Sequence, residues 1–195
     1  MHAILTGQDS VIGNTDEILS HGAIHRVRNV VTSLMNQYPY FEIAGFHLEK
    51  ENHGAPQCPD IAINQDKASQ ILPQAWSKEI NGQEYWFYNY PAVRQEGEFL
   101  QKAIPTIDQW LKILNSVHGP AEVKARALNI VLLGHRGGGS GTFYDEGNCS
   151  KIWTLYPGHG KSARYIALKY GNPHPTIGWF DYEHGASLRF FSNEK

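Results

Sequence analysis

Ten histidines in 195 residues raise metal binding or acid–base catalysis as the first chemistry to consider. Four of them, His135, His159, His174 and His184, fall in the C-terminal region. None stands in an HExxH pattern or in the paired spacing that places two imidazoles on one metal. Asp181-x-x-His184 is the pair most worth inspecting. Two cysteines, Cys58 and Cys149, are too few for a zinc site of three or four thiolates. A site of two thiolates and two imidazoles stays open by count but lacks the close cysteine spacing of a zinc finger, and the two could join once as a disulfide. Gly158-His159-Gly160-Lys161-Ser162 ends like a phosphate loop, but Leu155 stands where that loop needs its first glycine. The run Gly137 to Gly141 likewise misses the dinucleotide fingerprint. No GxSxG is present, Cys149 lacks a nucleophile signature, and the adjacent carboxylates Asp145 and Glu146 would point to opposite faces of a strand. The sequence therefore predicts no catalytic residue, no metal and no cofactor.

What it offers is a palette for contact. Tyr144, Tyr156, Tyr170, Trp179, Phe180 and Tyr182 alternate with Gly, His, Ser, Asn and Asp. Tyrosine and tryptophan give large contact area with few rotors to freeze, and small polar residues adapt their hydrogen bonds. Trp153 and Tyr165, inside strand-like runs, read as core. A net charge of -2 lacks the basic surplus that phosphate-backbone binding requires, so nucleic acid is not an expected partner. No apolar run is long enough to span a membrane, and the first residues lack the pattern of a signal peptide.

The elements that must position these residues read as α+β. Ile24, Val27, Val31 and Leu34 repeat at helical spacing ahead of Pro39, and a short strand is expected over Phe41 to Phe46. Glu51 to Asp60 reads as a loop, and Ala62 to Trp76 as a short helix. Beyond the Asn81-Gly82 turn, Glu84 to Val93 reads as an aromatic strand that Pro91 ends. Thr106-x-x-Gln109 is a capping box that opens a helix through Val117 with Ile107, Trp110, Leu111 and Leu114 on one face. A second helix is expected at Ala121 to Ala127 and an apolar strand at Leu128 to Leu133. Further strands are expected at Thr142 to Tyr144, Ile152 to Tyr156, Tyr165 to Tyr170 and Ser187 to Phe191. Long loops, Pro157 to Ser162 and Gly171 to Glu183, connect them.

Four segments in order carry a resemblance: Glu84 to Val93 (EYWFYNYPAV), Ile104 to Val117 (IPTIDQWLKILNSV), Ala127 to Arg136 (ALNIVLLGHR), and Gly141 to Gly147 (GTFYDEG) followed by Trp153-Thr154. With Ala163-Arg164-Tyr165 and Gly185 to Arg189 closing it, this order resembles the C-type-lectin-fold domain of the bacterial major paralogous domain family. It is also similar to the variable proteins of diversity-generating retroelements. The likeness covers about residues 80 to 191 and implies a C-type lectin-like fold with two helices and short antiparallel strands. Residues 1–60 would be an N-terminal extension whose helix packs on the domain or makes an oligomer contact, and 80–195 the ligand-binding domain. The resemblance implies a non-enzymatic protein that binds an unknown protein or surface ligand, displayed on a virion or cell surface. In the retroelement group, randomised adenines turn Asn codons into many residue types but never into Trp, Lys, Glu, Gln or Met. Trp153, Lys161, Lys169, Trp179 and Glu183 would then be fixed. The implied ligand face is Tyr144, Asp145, Tyr156, His159, Arg164, Tyr170, His174, Phe180, Asp181, Tyr182 and His184. The sequence departs from sugar-binding lectins in lacking Glu-Pro-Asn, and Trp179-Phe180-Asp181 only approaches their Trp-Asn-Asp. An undiversified surface or scaffold protein of the same fold is the alternative, and a metal-dependent enzyme a further one.

Overall fold

The computed structural model describes residues 40–157 and 160–191. They form a mixed α+β body within the compact unit Tyr40–Lys195. The expected N-terminal helix, Ile24 to Leu34, lies outside the described residues. The unit takes in residues 40–79, ahead of the expected boundary at residue 80.

The chain opens with a hairpin, β1 (Tyr40–Ile43) and β2 (Phe46–Glu49). The expected strand Phe41 to Phe46 is broken at its centre. Ala44 and Gly45 both take positive φ (52° and 78°), the left-handed pair that a tight hairpin needs. The expected helix at Ala62 to Trp76 does not form. That stretch holds only β3 (Ala62–Ile63), a run of bends, and the start of β4 (Gln74–Ile80), because Asn64, Ser69 and Pro73 favour turns. β4 turns at Asn81-Gly82 into β5 (Gln83–Tyr88).

The strand expected through Val93 ends at Tyr88, and Asn-Tyr-Pro starts a helix there. The Asn89 side chain accepts the amide N–H of Ala92 at 3.1 Å, with Pro91 in the first turn of α1 (Tyr90–Leu100). Asparagine at the cap and proline just inside are helix-start signals, and here they override the aromatic strand pattern. α2 (Ile107–Ser116) begins as expected: Thr106 and Gln109 bond reciprocally at 3.3 and 2.8 Å. α3 (Ala121–Ala127) also sits where expected. Its buried Lys124 donates to the carbonyls of Leu114 and Val117 at 2.5 and 2.7 Å, satisfying the open end of α2.

Leu128 to Leu133 is not a strand. Asn129 takes a positive φ of 51° directly after α3, and the chain runs irregularly to β6 (His135–Arg136), paired with β7 (Phe143–Tyr144). β8 (Cys149–Pro157), β9 (Ser162–Lys169) and β10 (Thr176–Asp181) make an antiparallel sheet with β9 central. β10 lies inside the expected loop Gly171 to Glu183. Ile177, Trp179 and Phe180 supply its strand propensity, while the Asn-Pro-His-Pro run confines the turn to the residues before Thr176. Ser187 to Phe190 is buried and forms no regular strand; isolated bridges from Ser187 to Ile152 and from Phe191 to Leu48, with backbone hydrogen bonds from Glu49 and His53, tie the segment in.

Successive residues on β8 and β9 point to opposite faces, and each face has its own core. Ile152, Ile166 and Leu168 pack with Trp110, Ile113 and Leu114 of α2 and with Leu128 and Ile130. Trp110 thus meets the sheet as well as the irregular Leu128–Ile130 segment, and Leu111 is only half-buried. On the other face Trp153 packs with Tyr88, Tyr90, Val93, Leu188 and Phe190. Trp153 is fully buried as expected, whereas Tyr165 is half-buried at the edge of that core. No helix among the described residues is long and apolar enough to cross a membrane.

Candidate functional site

Tyr144, Asp145, Phe180 and His184 come together around Lys151 and His135. Its register places Lys151 beside Trp153 and Tyr165 on one sheet face. The Lys151 ammonium donates to Asp145 Oδ2 and to His135 Nδ1, both at 2.9 Å. It also lies 5.1 Å from the Phe180 ring centre and 5.8 Å from that of Tyr165. A cation held over two ring faces gains from their quadrupoles. Asp145 is placed by the turn after β7, where it takes a positive φ of 62°.

Around this centre the rings stack. Tyr144 lies on His135 with centroids 5.4 Å apart, His135 on Phe180 at 4.8 Å, and Phe180 on His184 at 4.5 Å. Tyr165 closes the inner side, 4.3 Å from Phe180. Gly178 makes room for it, because a Cβ there would collide with the Tyr165 hydroxyl. The His184 Nδ1 is buried with no hydrogen-bond partner among the described residues. Tyr144 keeps 44% of its surface exposed and defines the outer end of this platform.

The electrostatics follow from the geometry. Burial and the neighbouring Lys151 ammonium push the His135 imidazole down to about 4, against a smaller upward pull from Asp145. With Lys151 donating to Nδ1, the neutral ring carries its proton on Nε2. The hydrogen bond from Lys151 holds the Asp145 carboxyl below the usual carboxylate range. A histidine whose folded pKa is depressed takes up its proton more readily in the unfolded chain, so stability falls as pH drops. From this group the loss starts near pH 6.5, is complete only below pH 4, and amounts to roughly 3 kcal/mol, most of it by pH 4.5. Denaturant titrations at pH 7 and 4.5 should show that loss, and His135→Gln should flatten it. An unchanged slope in that variant would assign the effect to other groups.

The remaining expected residues are dispersed. Arg164, Trp179 and Asp181 alternate onto the opposite face of the sheet, where the Arg164 guanidinium lies 4.5 Å over the Trp179 ring. Tyr170 and His174 are exposed in the β9–β10 connection, at the far end of the hairpin from Asp181. Tyr182 is half-buried and stacks on core residue Tyr90 at 5.1 Å. The Tyr156 side chain and His159 lie outside the described residues. Asp181 and His184 share only a backbone hydrogen bond of 3.0 Å, so they do not form a ligand pair. No group of three His, Cys, Asp or Glu side chains that could hold a metal occurs among the described residues. Cys58 and Cys149 are both free and buried, so the single disulfide is not formed, and burial pushes the Cys149 thiol up.

His135 and Lys151 are the two site residues that the sequence reading did not select. For Lys151 a signal existed: period-two alternation from Trp153 places it on the aromatic face. His135 depended on a β6–β7 pairing that nothing local announces. Compared with known proteins, the chain matches no family model, no curated protein and no solved structure.

Proposed function

We propose that this protein is a non-enzymatic binding module of C-type lectin-like fold, with the platform Tyr144, His135, Phe180 and His184 as its ligand face. One observation carries the reading: four rings stacked in a row stand beside a Lys151–Asp145 ion pair and end in an exposed tyrosine. Aromatic surface beside a fixed charge pair suits recognition of a protein or other surface ligand, because a few rigid rings concentrate binding energy. The partner is a macromolecular surface and the activity is binding without turnover, exerted from a virion or cell surface.

Diversification by a retroelement belongs to the same proposal. His135, Tyr144, Asp145, Phe180 and His184 are all types that a randomised Asn codon can give, whereas Lys151 and Trp153 are not. Lys151 and Trp153 would be the constant frame on which the varied rings are mounted. The placement of Arg164, Asp181, Tyr170 and His174 away from the platform favours the alternative, an undiversified scaffold of the same fold. The DNA beside the gene decides between them. A near-identical repeat differing at adenines under residues 144, 145, 180 and 184, next to a reverse-transcriptase gene, is the result expected from diversification. Repeat differences confined to other codons would oppose it.

Binding is tested with an immobilised panel of surface proteins and glycans. Tyr144→Ala is expected to weaken any ligand that the native protein holds by about 2 kcal/mol, roughly thirtyfold. Because Tyr144 is exposed, its melting temperature should hardly move. A ligand bound equally well by that variant would place recognition elsewhere.

A further inference from the structure

We propose that the side of the β6–β7 ribbon opposite the ring platform is a second binding site, for a small carboxylic acid held by Arg136. On a two-stranded ribbon His135 and Arg136 point to opposite faces, as do Tyr144 and Phe143. Arg136 turns into a cavity of about 340 Å³ lined by Asn64, Asp66, Trp76, Ser77, Ser140 and Phe143. That volume is at the lower end of the range for small-molecule sites.

The setting of Arg136 suits an anion. It is only 4% exposed, yet no carboxylate among the described residues lies within salt-bridge distance of it. The two hydrogen bonds of its guanidinium are long and go to backbone carbonyls, 3.4 Å to Gly137 and 3.3 Å to Asp66. A guanidinium has more N–H donors than these bonds use, and a buried charge is costly unless paired. Its group is held rigidly: the Arg136 carbon lies 4.0 Å over the Trp76 ring. The loop wraps its rim, since a Cβ at Gly141 would lie 3.0 Å from Nη2. A planar fork fixed by stacking, with donors unspent, fits the planar, bidentate geometry of a carboxylate. Burial also draws the Arg136 pKa down, partly countered by the nearby Asp66 charge, and a bound anion would relieve that burial cost. Exposed Asp66 is thus a weak stand-in for the ligand and competes with it.

The test uses the indole N–H of Trp76, which donates to the Gln65 carbonyl at 2.8 Å beneath the cavity and is assigned by Trp76→Phe. The full chain is titrated by NMR with acetate, lactate and glycine, with chloride at matched ionic strength and inorganic phosphate as controls. A carboxylate is expected to shift the Trp76 signal with saturation below about 10 mM. Asp66→Asn, at the exposed rim, should tighten binding by about threefold or more, because a competing charge is removed. Arg136→Lys should weaken it by about tenfold or more, since charge remains but the fork is lost. Three results would each overturn the proposal: a shift that only tracks ionic strength, phosphate binding as tightly as every carboxylate, or weaker binding in Asp66→Asn. Should Arg136→Lys not fold, the native protein and Asp66→Asn decide alone.

Discussion

Replacing Trp110 with Ala is expected to destabilise the protein by about 3–5 kcal/mol. The indole is fully buried on α2, where it fills the space between that helix, Ile152 and Ile166 of the sheet, and the Leu128–Ile130 segment. Removing it opens a void that no single neighbour can fill, so lost transfer energy and lost contacts add together. Its Nε1–H has no partner among the described residues, which makes the loss somewhat smaller than for a hydrogen-bonded indole. Urea unfolding followed by circular dichroism measures the effect. A change below about 1 kcal/mol would mean that α2 is peripheral to the core.

Glu96→Ala is expected to cost as much, for a different reason. Glu96 is fully buried on α1, and its carboxylate gathers three groups from one loop. Oε1 contacts His53 Nε2 at 2.8 Å and accepts the Gln57 amide at 2.6 Å, while Oε2 accepts the Cys58 amide at 2.9 Å. Removing it leaves the part-buried Gln57 amide, the buried Cys58 amide and a buried imidazole without this partner. Breaking one side of such a cluster typically costs about 3–5 kcal/mol. Hydrogen exchange separates this from a general loss of stability: the Gln57 and Cys58 amides should lose protection beyond that of the β8–β9 amides. Uniform deprotection would show that Glu96 supports the fold as a whole and not this loop in particular.

The helices that carry their own punctuation could be read from sequence: the capping box at Thr106 opens α2, and α3 follows at Ala121 to Ala127, where a second helix is expected. Residues whose conformation depends on distant partners could not. Leu128 to Leu133 has the composition of a buried strand, but Asn129 turns left-handed to let the Arg189 guanidinium reach the carbonyls of Leu128 and Asn129 at 2.6 and 3.0 Å. No local rule foresees a buried arginine arriving from the end of the chain. At the site, Tyr144, Asp145, Phe180 and His184 were chosen for their chemistry and do converge, whereas Arg164 and Asp181 were lost to strand alternation once β10 replaced an expected loop. Choosing residues by type found the palette; only the register could say which of them share a face.

The pairing of the body's first and last segments bears on when this protein can fold during its synthesis. Glu49 and His53 donate to the carbonyls of Phe190 and Leu188, and Leu48, Leu188 and Phe190 are all fully buried. An emerging chain therefore holds the β1–β2 hairpin without this partner until residues 188–190 have left the ribosome, since loop closure over the intervening residues must precede any gain from that seam. Until residues 188–190 emerge, Leu48 and the aromatic residues Trp86 and Tyr88 that they help to bury stay open to other chains. The Ser187–Phe191 segment acts as a latch, and a chain interrupted just before Leu188 would lack it altogether.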